Sequence, residues 1–392
     1  MNGLNWQVKD FLRKNILTTL SALIIFLAAF LGGYVLSSQK DDSSAGGYYG
    51  GNLLEKFISG NKNGKMDDSA NQPPSESEIT AVSGGLVLPG IAFFENNSTA
   101  VFYEQGSGRL IAADLSTKEA RPLSAQIPAD LINILWPAGP AGSRPVNGEE
   151  IIGEFHLRAK EGTAFKYFNF PGGKISVLPG VKSAVFSPSG RQIASFQSGL
   201  SGDSNKITVS SPDGGVSKNI LNTRLDNFKL YWPQENLLFL KISDNFGFAK
   251  LFSLNKDGAI TEVLRDKKDL EIKWSPAGNL LMFSVLSADK KAELFYKALP
   301  DGEEKRLAGD APASKCAWGV DSAHIFCVES IADGSETIFR LNIAENEKQP
   351  VSLLGSNIKT KEFLISNLED YAIILNAYDQ RVYSVKLTEK RR

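Results

Sequence analysis

The sequence predicts an all-β fold: a seven-bladed β-propeller of four-stranded antiparallel blades, preceded by one N-terminal transmembrane helix. Three observations predict it. A 21-residue stretch without a charge, Ile16 to Leu36, lies near the N-terminus. From about Thr80 onward, short runs of Val, Ile, Phe, Tyr and Leu alternate with turn residues, and one such unit recurs seven times. A second mark, a glycine turn, repeats with the same period.

The N-terminal stretch comes first. A helix rises about 1.5 Å per residue, so roughly 20 apolar residues cross a bilayer core. Lys9, Arg13 and Lys14 precede the stretch and Lys40, Asp41 and Asp42 follow it, which places the N-terminus in the cytoplasm and the rest outside it. A cleaved secretory signal is the competing reading. The stretch exceeds the usual apolar region of about 7–15 residues, which favours an uncleaved anchor. The expected organisation is a cytoplasmic stub over 1–15, a transmembrane signal anchor over 16–36, a flexible linker over 37–78 and the propeller over 79–392. The linker is rich in Ser, Gly, Asp, Asn and Pro, and such a segment buries too little apolar surface to offset its ordering entropy.

The repeat is an aromatic residue, a tight turn and a second apolar strand. Its aligned positions are Phe94, Trp136, Phe186, Trp232, Trp274, Trp318 and Ile365, separated by 42, 50, 46, 42, 44 and 47 residues. Glycine turns at Gly172, Gly214, Gly258 and Gly302 are separated by 42, 44 and 44. An Asp-Gly pair between apolar runs marks a tight hairpin, because the turn requires positive φ. The two marks define two hairpins per unit, and a unit of about 40–50 residues with four short strands is a propeller blade. The last unit has only three clear strands, whereas the strand at Ile79–Ser83 has no partner near it. That strand is expected to complete the last blade and protect its edge. The aromatic marks are expected to pack between blades.

The runs FSPSGRQIASF at Phe186 and WSPAGNLLMFSV at Trp274 resemble the repeat of TolB-type, WD40-like bacterial propellers, in which an aromatic residue is followed by Ser-Pro-Asp-Gly. The resemblance spans roughly Ile79 to Leu387. Ser189 and Ala277 replace the consensus Asp, and no Trp-Asp dipeptide occurs. The resemblance implies an envelope protein that binds another protein or a wall polymer. It carries over no catalytic residue.

The composition narrows the chemistry. Lys plus Arg total 43 against 44 Asp plus Glu, without the basic excess a nucleic-acid surface needs. There is no G-x-S-x-G elbow, P-loop or H-E-x-x-H, and no cofactor is expected. The two histidines, His156 and His324, fall in different blades, and zinc needs three or four convergent ligands. Asp203, Asp244 and Asp289 lie in loops but form no calcium-loop pattern. Cys316 and Cys327 flank a turn symmetrically and would lie nearly opposite each other on paired strands. Export permits a disulfide, although opposite Cβ atoms sit about 4.5–5.5 Å apart, slightly long for the bond.

Function is expected on the longer loops of the disc. The candidate partner contacts are Phe246, an apolar loop residue, with Asp244, Asp289, Lys290 and Lys291. The leading expectation is a membrane-anchored, non-catalytic binding module outside the cytoplasm, not an enzyme, with an envelope protein or wall polymer as partner. Two alternatives stand beside it: an enzyme with a carboxylate-based site in the propeller channel, a lyase or glycosidase, and a structural or sensory ectodomain.

Overall fold

The computed structural model describes residues 78–94, 98–137, 149–156, 163–199, 205–332 and 334–387. These residues form seven four-stranded antiparallel sheets. In six of them the strands follow one another in sequence order. Blade three shows why. Its strands Val181–Phe186, Ile193–Gln197, Asn205–Ser210 and Ser217–Thr223 are joined by hairpins, and each pairs with the next. Alternation along the first strand of blade four, Phe228–Gln234, buries Phe228, Leu230 and Trp232 against neighbouring blades and leaves Lys229 exposed.

The Ser-Pro of the repeat has a physical role. In blade five the hydroxyl of Ser275 accepts the N–H of Leu280 at 3.0 Å, while its carbonyl accepts the N–H of Gly278 at 2.8 Å. Ser187 in blade three and Ser366 in blade seven make the equivalent pairs. Each of these serines is buried and satisfied by the turn it closes. Gly278 has φ +73°, and a Cβ there would meet the carbonyl oxygen of Pro233 at 2.3 Å, so the blade-five turn can press against blade four only with glycine.

Blade seven closes the ring. Ile79–Ala81 pairs with Val382–Lys386, which pairs with Tyr371–Asn376, which pairs with Thr360–Ile365. The chain's first described strand therefore sits at the outer edge of its last blade, where it covers an otherwise open ladder. The core lies between blades. Phe196 of blade three meets Phe228 of blade four at 3.9 Å between ring centroids, and Trp274 meets Phe239 of blade four at 4.3 Å.

Cys316 and Cys327 form a disulfide between the first two strands of blade six, with 4.0 Å between their Cα atoms. Both are buried in one apolar cluster with Trp318 and Leu341. The bond closes a short loop, a sequence separation of 11. Replacing both cysteines with alanine should lower unfolding free energy by about 2–3 kcal/mol in a urea titration. An unchanged midpoint would show that the crosslink adds nothing to the strand pairing already present.

The expected helix over 16–36, the stub and most of the linker lie outside the described residues. Among the described residues no helix is long and apolar enough to cross a membrane, and the one helical segment is a single turn at Ala313–Lys315. The single-pass membrane placement is accordingly corrected: nothing in the described fold supports it.

Candidate functional site

The first strand of each blade lines the axis, and the repeat aligns these strands residue by residue. At the position before each mark stand Phe93, Leu135, Val185, Tyr231, Lys273, Ala317 and Leu364. Lys273 is the one charge in that column. Two positions further back in blades five, six and seven stand Glu271, Lys315 and Glu362; the carboxylates of Glu271 and Glu362 act on Lys273, whereas Lys315 turns to Glu336 at 2.7 Å.

Lys273 is recessed among protein atoms. Its Nζ donates to the carbonyls of Cys316 at 2.5 Å, Phe363 at 3.1 Å and Ser314 at 3.4 Å, so one side chain reaches from blade five to blades six and seven. Glu271 accepts the N–H of Ser314 at 2.8 Å. Glu362 accepts the N–H of Gly90 at 3.1 Å, carrying the belt into blade one, and the indole of Trp136 donates to the Gly90 carbonyl at 2.7 Å, carrying it into blade two.

Burial sets the protonation of this cluster. Removing the ammonium of Lys273 from water pulls its pKa down to about 8, against the opposing pull of Glu362 and Glu271. Burial pushes the Glu362 carboxyl above the ordinary range, more than the N–H of Gly90 and the charge of Lys273 pull it back. Lys241, on the second strand of blade four, is lowered by burial and by Lys229 opposite it, and it donates to the Leu270 carbonyl. Burial and Glu271 raise the Tyr231 phenol. A base made easier to deprotonate thus stands near an acid made harder to ionise, the arrangement that acid–base chemistry near neutral pH requires.

Lys273 also lines a crevice of about 40 Å³ with Trp274, Trp318, Val320, Phe363 and Ser366. It opens on the face of the short first turns, at the inner strands of blades five, six and seven. That volume takes one substituent or a few waters, not a sugar ring. The buried Nε1 of Trp274 has no hydrogen-bond partner among the described residues.

The loop residues singled out by sequence lie elsewhere. Phe246 is 78% exposed at the tip of a hairpin in blade four. Asp244 holds that tip by accepting the N–H groups of Phe246 and Phe248, both at 2.8 Å, which makes it a turn residue. Asp289, Lys290 and Lys291 are exposed on the corresponding hairpin of blade five, where Lys290 adopts φ +59°. His324 sits beside Asp321, Nδ1 to Oδ2 2.9 Å, and is tied into its own turn. The sequence reading passed over Lys273, Glu271 and Glu362. The available signal was the lysine interrupting an otherwise apolar and aromatic column, visible once the seven marks are aligned.

No known family's sequence profile matches the chain. No curated protein matches its sequence. Solved structures do match. An oligogalacturonate lyase in complex with manganese superposes at TM-score 0.59 with 12% identity, over 80% of this chain and 94% of that one. The WD40 repeats of RRP9 superpose at 0.52 with 10% identity, over 81% and 99%. TolB from Acinetobacter baumannii matches at 0.42 with 12% identity, over 76% and 79%, too loosely to argue from. At these identities the likeness is one of fold, a WD40-like propeller. It nevertheless corrects the expectation that the chain is not an enzyme. That expectation rested on the lack of any catalytic motif in the sequence, yet the matched disc makes up nearly all of a lyase. A propeller alone can carry catalysis.

Proposed function

We propose that the chain is a lyase-type acid–base enzyme acting on an acidic sugar polymer at the mouth of the axial channel, with Lys273 as proton acceptor. The observation that carries this reading is a recessed lysine that gives up its proton near pH 8 at the wall of an open crevice. A neutral amine keeps two hydrogens and one lone pair. The two shorter bonds, to Cys316 and Phe363, can persist, while the 3.4 Å contact to Ser314 is the one released.

In a β-elimination the base takes the proton α to the sugar carboxylate. The electron pair of that C–H bond forms the new double bond, the glycosidic C–O bond breaks, and the departing oxygen takes a proton. Burial raises the Glu362 carboxyl above its ordinary range, which makes it the acid on hand. Lys182, Lys229 and Lys361 stand exposed on inner strands and would offset the polymer's carboxylates. The manganese of the matched lyase is not carried over: among the described residues no three His, Cys, Asp or Glu side chains converge to hold a metal. The wall polymer expected from the repeat is a substrate of the fitting class.

Incubation with oligogalacturonate should generate the ultraviolet absorbance of a conjugated double bond. The rate should climb with pH and level off above about 8, as Lys273 loses its proton. No absorbance at any pH, with this or other uronate polymers, would defeat the reading.

A further inference from the structure

A second cavity, of about 320 Å³, lies between blades three and four. Arg191 in the first turn of blade three, Lys218 on its outer strand and Lys256 in the last turn of blade four bring three cations to its wall. Val209, Val216 and Ile220 supply apolar surface, and Val216 is 81% exposed. The cavity is large enough for a small ligand or a segment of a longer one.

The cations are uncommitted. Among the described residues none of the three side chains has a carboxylate or a hydrogen-bond acceptor as partner. The nearby acids are mostly engaged: Asp213 pairs with Lys174 at 3.7 Å and accepts from Ser211 at 2.5 Å, and Glu235 accepts the N–H of Ser189 at 2.8 Å. Asp257, next to Lys256 in its turn, stays exposed to solvent. In a chain of net charge −1, three unpaired cations over an apolar floor are a local excess that selects for an anion with a non-polar face. An acidic sugar has both, carboxylates at the edge and C–H groups on the ring face.

We infer that this cavity is a subsite that holds the acidic sugar chain away from the axial crevice. The inference rests on the function proposed above. The axial crevice lies at the first turns of blades five, six and seven, and this cavity takes Arg191 from a first turn and Lys256 from a last turn. In an antiparallel four-stranded blade those two turns share one edge, so both cavities open on the same face and a single polymer can lie across the disc. The site grips through charge and through contact with Val216, so its hold should weaken with salt.

The test uses the full-length chain and oligogalacturonate, with binding followed by calorimetry at low and high salt. The wild type should bind, more weakly as salt rises, and the variant R191Q/K218Q/K256Q should bind about tenfold more weakly with an unchanged melting temperature. V216D should reproduce the loss, since it places a carboxylate on the apolar floor. Binding of the triple variant within twofold of wild type would overturn the inference, as would no binding by the wild type. Inorganic phosphate bound as tightly as the sugar would overturn the assignment to a sugar chain. Turnover separates the two ideas. Retained binding by the triple variant with active wild-type enzyme removes only this subsite; lost binding with no turnover in any form removes the catalytic reading and keeps the subsite.

Discussion

Replacing Glu336 with alanine should lower unfolding free energy by about 3 kcal/mol, near the lower end of what removing one partner of a buried ion pair costs. The carboxylate is fully buried at the start of the third strand of blade six. It accepts from Lys315 at 2.7 Å, Lys359 at 3.1 Å and the N–H of Thr360 at 2.7 Å. The alanine variant leaves the Thr360 amide buried without its acceptor and Lys315 beside an empty space. Both lysines keep some access to water, 19% and 36% of their side chains, which holds the cost to the lower end. The pH dependence has a definite sign. Burial alone would raise the Glu336 carboxyl, but the bonds from Lys315 and Thr360 outweigh it and the net shift is down. A carboxyl lowered in the folded state stabilises at pH above its ordinary value of 4.5, and that contribution fades as pH falls through the folded value. The gap between wild type and variant in urea titrations should therefore be full at pH 7 and shrink below about 4.5. A loss under about 1 kcal/mol at pH 7 would show that this network does not hold blade six to blade seven.

The Glu336 network also shows how far the sequence could be read. The seven blades were legible because a repeated aromatic residue must fill the same gap between sheets each time, so Phe186, Trp232 and Trp274 return at blade spacing. Ser187 and Ser275 stood in the repeated Ser-Pro for the same reason, whereas Ser366, followed by Asn367, shows its matching role only in the fold. The belt of Lys273, Glu271 and Glu362 depends on which blades become neighbours across the axis. Lys273 and Phe363 are 90 residues apart, and Glu362 and Gly90 are 272 apart. No local period encodes such contacts. Loop polarity pointed instead to Asp244, whose carboxylate is consumed by its own turn. The axial residues were hidden because their strands are short and partly buried, and a lysine inside an apolar column looks locally like an exposed edge.

Replacing Lys273 with methionine should reduce turnover by about two to four orders of magnitude, the range lost with a positioned proton-transfer group. Methionine keeps the length and apolar stem but can neither accept a proton nor bond to Cys316 and Phe363, so a fall in activity alone would not separate chemistry from structure. Lys273→Arg makes that separation. A guanidinium can bond the carbonyls of blades six and seven, yet it stays charged across the working range and cannot serve as the base. The arginine variant should melt close to wild type and be as inactive as the methionine variant, and its residual rate should no longer rise through pH 8. Stability carries an independent signature. A lysine whose pKa falls from 10.5 to about 8 on folding binds fewer protons in the native state between those values, so wild-type stability should increase as pH rises through that window. The methionine variant should lack that rise. If Lys273→Arg turned over oligogalacturonate within threefold of wild type, Lys273 would be a clamp between blades and the proton acceptor would have to be sought among other groups.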